Sequence, residues 1–69
     1  MDDLTEVENL LLRGLKIYKM PREEAAAIVV YLNEENQWLM IDYLVAHPMA
    51  EYQEIMNEFG RLLKGQNQK

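Results

Sequence analysis

Two prolines, Pro21 and Pro48, divide this chain into three stretches, and they constrain its fold more than any other feature. Proline is tolerated in the first turn of an α-helix but breaks a helix interior, because it has no amide hydrogen and its ring clashes with the preceding turn. The residue before a proline is also biased away from helical geometry. We therefore predict a helix that begins at about Pro21 and another that ends just before Pro48.

The first stretch contains the signals of one helix. Thr5 and Glu8 form a capping box, in which each side chain pairs with the backbone amide of the other residue. Apolar residues follow at spacings of three and four as far as Tyr18, which is typical of an amphipathic helix. Gly14 leaves two alternatives open, since it is either tolerated inside the helix or ends it in the left-handed conformation. We expect the end to lie between Gly14 and Lys19.

The second and third helices are each indicated by an acidic first turn, where negative charge is favoured by the helix dipole. One begins at Pro21 and reaches about Leu32, and the other begins with Asn33 as its cap and reaches Ala46 or His47. A fourth helix is indicated after Pro48 by the cleanest apolar stripe in the chain, and Gly65 is positioned to end it. That stripe consists of Tyr52, Ile55, Met56, Phe59, Leu62 and Leu63. We expect Ile55 and Phe59 to lie in the core.

These signals predict an all-α fold, a small bundle of three to four short helices, over a single helical domain at residues 1–65. Residues 66–69 are predicted to be a frayed tail. An alternative reading makes AIVVYL and WLMIDYL two strands of a hairpin around NEENQ, because both runs contain β-branched residues. We rank it second, since the connection has no glycine and neither run alternates polar with apolar residues.

The residue types leave little chemistry for catalysis. The chain has no serine and no cysteine, and its single histidine, His47, cannot build a metal site alone. The acidic pairs, including Asp2 with Asp3, all lie where a helix is expected to begin, so helix capping explains them without a catalytic role. The three glycines are too isolated to form a phosphate-binding loop. We therefore expect no enzymatic activity, no cofactor, no metal and no small-molecule substrate.

The location of the protein is constrained by two further features. The N-terminus has acidic first charges and lacks the basic start and small-residue cleavage site of a secretory signal. No apolar run approaches the roughly 18 residues that cross a bilayer. We expect a cytoplasmic protein that does not enter a membrane.

The formal net charge of -5 is unevenly distributed, because residues 13–22 carry four basic residues and no acidic ones. Those four are Arg13, Lys16, Lys19 and Arg22. Cations near the end of the first helix are favoured by its dipole, which explains them without a ligand. The alternative is a helix-turn-helix-like nucleic-acid-binding regulator that uses this segment. We rank that alternative second, because the third and fourth helices present glutamates that a duplex would repel.

The favoured hypothesis is a small acidic protein–protein interaction module: an adaptor, a regulator or an inhibitor of the kind found in phages and mobile elements. Residues 25–32 and 38–45 are apolar around the whole helix circumference, and a small monomer cannot bury both. We therefore expect a homodimer or a complex with another protein. Aromatic residues and methionine are enriched at interface centres, so the predicted anchors are Tyr31, Trp38, Met40 and Tyr43.

Overall fold

The computed structural model describes residues 4–67, and this part of the chain contains four helices and no strand. Helix α1 spans Glu6–Ile17, α2 spans Arg22–Tyr31, α3 spans Glu34–Ala46 and α4 spans Tyr52–Asn67. The all-α prediction is confirmed, and the hairpin alternative is wrong. The predicted pairing of Asp2 and Asp3 with a helix start lies outside the described residues.

Helix α1 begins with the predicted capping box. The Thr5 amide donates to the Glu8 carboxylate at 2.8 Å, and the Glu8 amide donates to the Thr5 hydroxyl at 3.2 Å. Gly14 lies inside the helix without a positive φ, so the reading in which it ends the helix is wrong. The helix instead ends in a Schellman motif, in which Lys19 takes the left-handed conformation at a φ of 61°.

The junction between α2 and α3 is closed by side-chain hydrogen bonds. Asn33 caps α3 as predicted, accepting from the Asn36 amide at 2.9 Å. Gln37, one turn further on, is buried and donates to the carbonyl oxygens of Val29 and Leu32 at 2.8 and 2.9 Å. These carbonyls lie at the end of α2, where the helix itself supplies no donor. One buried amide therefore both ends α2 and fixes the start of α3.

Helix α4 passes through Gly65 and continues to Asn67, so the prediction that Gly65 ends it is wrong. Residues 66–67, which the sequence assigns to the tail, form the end of α4, and residues 68–69 lie outside the described part. The Gln66 side chain accepts from the Asn33 amide at 3.0 Å and donates to the Tyr31 carbonyl oxygen at 2.7 Å. These bonds hold the last turn of α4 against the α2–α3 junction.

The core draws on all four helices. Helix α1 packs against α2 and α3, and α4 packs against α3. Ile55 is fully buried as predicted, whereas Phe59 is only partly buried and packs at the edge of the core. The fully buried large side chains are Leu11, Leu15, Ile28, Met40 and Ile55. Both apolar helices, α2 and α3, bury one face here and leave apolar residues exposed on the other.

Candidate functional site: an apolar groove between α1 and α3

An open groove with a volume of about 280 Å³ runs between α1 and α3. A second depression continues it past the C-terminal ends of the two helices as far as Pro48. We call the first of these the α1–α3 groove. It is lined by Leu10, Arg13, Gly14, Ile17, Ile41, Leu44 and Val45. Only one of these side chains is charged, so the groove is an apolar surface.

Helices α1 and α3 face each other at Gly14 and Leu44, in the middle of the groove. A Cβ atom placed on Gly14 would lie 3.5 Å from Cδ1 of Leu44, an ordinary van der Waals contact, so the two residues are neighbours across the groove. The Tyr18 hydroxyl lies 2.7 Å from the Leu44 carbonyl oxygen and 3.1 Å from that of His47. Its hydrogen bonding holds the C-terminal ends of the two helices side by side.

Exposed aliphatic side chains form both rims of the groove. Ile17 on α1 is 78% exposed, and Val45 on α3 is 75% exposed. Seven residues make two helical turns, so Leu10 lies on the Ile17 side of α1 and Trp38 lies on the Val45 side of α3. Leu10 and Trp38 are 41% and 44% exposed. Each rim is therefore an apolar stripe about two turns long.

Opposite charges flank the two rims. Arg13 lies between Leu10 and Ile17 on the outer side of α1, and Asp42 lies between Trp38 and Val45 on the outer side of α3. Both side chains are exposed. Within residues 4–67 the only salt bridge joins Arg61 and Glu58 on α4. Neither Arg13 nor Asp42 is thus neutralised by another described residue.

The predicted anchors are dispersed by the fold. Met40 has no exposed area and belongs to the core, so its prediction as an interface anchor is corrected. Its side chain belongs to the hydrophobic cluster to which all four helices contribute. Tyr31 is exposed at the end of α2, away from the lining of the groove. Trp38 is the one predicted anchor that flanks the groove.

Tyr43 lies on the α4 side of α3, five residues or about 140° around the helix from Trp38. It is partly buried and stacks on His47 with ring centroids 4.2 Å apart. Burial raises the pKa of the Tyr43 phenol, and the nearby Glu54 and Glu58 raise it further. His47 in turn places Nδ1 2.9 Å from the Tyr43 carbonyl oxygen. This pair closes the end of α3.

The four basic residues predicted for nucleic-acid binding are distributed over the second half of α1, the turn after it and the first residue of α2. Arg13 lines the α1–α3 groove, whereas Lys16 and Arg22 line a separate depression between α1 and α2. Lys19 lies in the turn that follows α1. All four are exposed, and three of them, Arg13, Lys16 and Arg22, line two different depressions.

Sequence reasoning missed the residues that form the rims, Ile17 and Val45. The signal for α1 was present, because Leu10, Gly14 and Ile17 form a second stripe at spacings of four and three beside the stripe that is buried. For α3 no such signal exists. Its apolar residues surround the helix, so periodicity does not indicate which face is covered.

Residues 4–67 contain no group of three or more side chains placed to hold a metal ion, and every buried polar side-chain atom among them has a hydrogen-bond partner. None of the helices described is both long enough and apolar enough to cross a membrane. The α1–α3 groove is the feature from which a function can be inferred.

No protein-family model matches the chain, and comparisons with curated proteins and with solved structures found no similar protein.

Proposed function

We propose that this chain is a non-catalytic protein–protein interaction module that binds another protein chain through the α1–α3 groove. The observation that carries the proposal is the exposure of Ile17 and Val45 on the two rims of one apolar groove. Single exposed aliphatic residues are ordinary on a protein surface, but a contiguous apolar patch is typical of an interface.

Covering the groove is energetically favourable. Burying one large aliphatic side chain contributes about 1.5–3 kcal/mol, and the two rims together present Leu10, Ile17, Trp38 and Val45. A stable interface buries about 800 Å² on each partner. This area is roughly a sixth of the 4984 Å² that the described chain exposes. One face of the molecule is therefore large enough to form such an interface.

The acidic residues are arranged to leave this face apolar. Eight acidic residues fall between positions 23 and 60, yet none of them lines the groove, and Asp42 alone lies on its flank. Charged residues are depleted at interface centres and tolerated at the rim, because their desolvation is costly. The charge pattern is therefore compatible with an apolar centre surrounded by a polar margin.

The nucleic-acid-binding alternative has less support. Of its four cations, Arg13 lines one depression whereas Lys16 and Arg22 line another, and each phosphate contact needs a cation or another donor. Tight binding at physiological salt that is lost when Lys16 and Lys19 are reversed to glutamate would establish it instead.

Site-directed photo-crosslinking tests the proposed function. A photoreactive phenylalanine derivative is placed at position 45 in cells that express the protein. As a matched control it is placed at Val30, which is 73% exposed on α2 and outside the groove. We expect discrete protein adducts from position 45, few from position 30, and loss of the position 45 adducts in an Ile17→Asp background. The function is contradicted if position 45 gives no adduct, or gives the same adducts as position 30.

A further inference from the structure

We infer that the occupant of the α1–α3 groove is a second copy of this chain, held in a twofold dimer by reciprocal pairs between Arg13 and Asp42. This inference rests on the proposed function, and it names both the partner and the geometry. The observation behind it is the placement of one cation and one anion on opposite flanks of the same apolar groove.

The two charges lie at similar heights along the groove. Gly14 is opposite Leu44, and Tyr18 contacts the Leu44 and His47 carbonyls, so α1 and α3 run side by side in the same direction. Arg13 is one residue before Gly14, and Asp42 is two residues before Leu44. At a rise of 1.5 Å per residue this offset is small compared with the reach of an arginine side chain.

This placement selects one of the two twofold arrangements. With the axis parallel to the groove, α1 of one copy faces α3 of the other, and each Arg13 lies opposite the other copy's Asp42. With the axis across the groove, α1 faces α1 and α3 faces α3, so no Arg13 lies opposite an Asp42. Like charges at an interface cost several kcal/mol, whereas complementary charges fix its register. The parallel axis is therefore the favoured one.

The apolar residues suit the same arrangement. When the axis runs parallel to the groove, the Ile17 rim of the first copy packs on the Val45 rim of the second copy. The Val45 rim of the first copy likewise packs on the Ile17 rim of the second. A twofold interface requires such self-complementarity, because the same patch serves both partners. Two copies that each carry a net charge of -5 repel each other through most of their surfaces. The groove face has one positive and one negative flanking charge, so two copies that meet through this face avoid that repulsion.

Charge reversal tests this geometry by sedimentation equilibrium over a range of micromolar concentrations. Arg13→Asp alone and Asp42→Arg alone each place two like-charge pairs in the interface. We expect each to raise the dimer Kd at least about tenfold, the equivalent of 1.4 kcal/mol. The double variant and the equimolar mixture of the two single variants both restore opposite pairs. We expect dimer Kd values within about threefold of the parent in both cases.

The controls repeat each charge change away from the groove. Lys64→Asp and Glu51→Arg alter exposed residues outside the groove lining, and neither should change the dimer Kd by more than about twofold. Arg13 and Asp42 are exposed, so far-ultraviolet circular dichroism should show the parental helix content in all variants. The reciprocal pairs are overturned if the single variants dimerise like the parent, or if neither the double variant nor the mixture recovers.

The inference and the proposed function fail differently. A parent chain that is monomeric at these concentrations, while position 45 still crosslinks to a different protein, overturns the dimer and leaves the interaction function standing. A monomeric parent with no adduct from position 45 overturns both.

Discussion

One buried amide, that of Gln37, determines how α2 ends and α3 begins. Its two donor bonds go to the carbonyl oxygens of Val29 and Leu32, which lie in the last turn of α2 and at its C-cap. In the sequence Gln37 belongs to NEENQ, which reads as a polar interruption between two apolar runs. The role of its side chain depends on a contact made across a helix junction, and such contacts are not visible in local spacing.

Replacing Gln37 by methionine should therefore destabilise the protein. The substitution keeps the approximate volume but leaves two buried carbonyl oxygens without donors, which costs about 1–3 kcal/mol. Urea denaturation of both proteins, followed by circular dichroism, measures the difference in the free energy of unfolding. Gln53→Met on the exposed face of α4 is the matched control and should change it by less than about 0.5 kcal/mol. Equal effects of the two substitutions would show that Gln37 does not support the junction.

The four helices are well predicted at the scale of elements, because their start signals are local. The Thr5 capping box and the Asn33 cap occupy the predicted positions, and α2 begins one residue later than predicted, with Pro21 as its N-cap. The ends are predicted less well. A left-handed residue ends α1, but it is Lys19 rather than a glycine, and α4 continues past Gly65. Tertiary contacts decide these cases: buried Met20 follows Lys19, and Gln66 is hydrogen-bonded to the α2–α3 junction.

The turn after α1 supplies a second prediction. The Lys19 amide donates to the Lys16 carbonyl at 2.9 Å and the Met20 amide donates to that of Leu15 at 3.3 Å, so the backbone requires a left-handed residue at position 19. A residue other than glycine pays about 1 kcal/mol for this conformation. Lys19→Gly should therefore raise the free energy of unfolding by up to about 1 kcal/mol.

The matched control is Lys16→Gly, the same substitution inside α1. It should lower the free energy of unfolding by about 1 kcal/mol, since glycine is disfavoured in a helix interior. Chemical denaturation of the two variants and the parent gives both values. If Lys19→Gly destabilises the protein as much as Lys16→Gly does, then the lysine side chain and not the backbone conformation matters at position 19.

At the scale of the whole molecule, the candidate site could be predicted only in part. The sequence indicates that α2 and α3 have more apolar surface than a small monomer can bury, and Trp38, a predicted anchor, is exposed in the structure. It does not indicate which face of α3 is covered, because apolar residues surround that helix. Met40 was therefore predicted as an anchor although it is buried, and Val45 was overlooked although it is exposed.

Covalent footprinting with hydroxyl radicals, read by mass spectrometry, tests most directly whether the α1–α3 groove is covered by a second copy. Val45 and Val30 are the same residue type with almost equal exposure in the single chain, 75% and 73%. In the purified protein at micromolar concentration we predict that Val45 is modified several-fold more slowly than Val30, because Val45 is buried in the dimer. The Arg13→Asp variant should bring the two rates together. Equal modification of Val45 and Val30 in the parent protein would contradict the account.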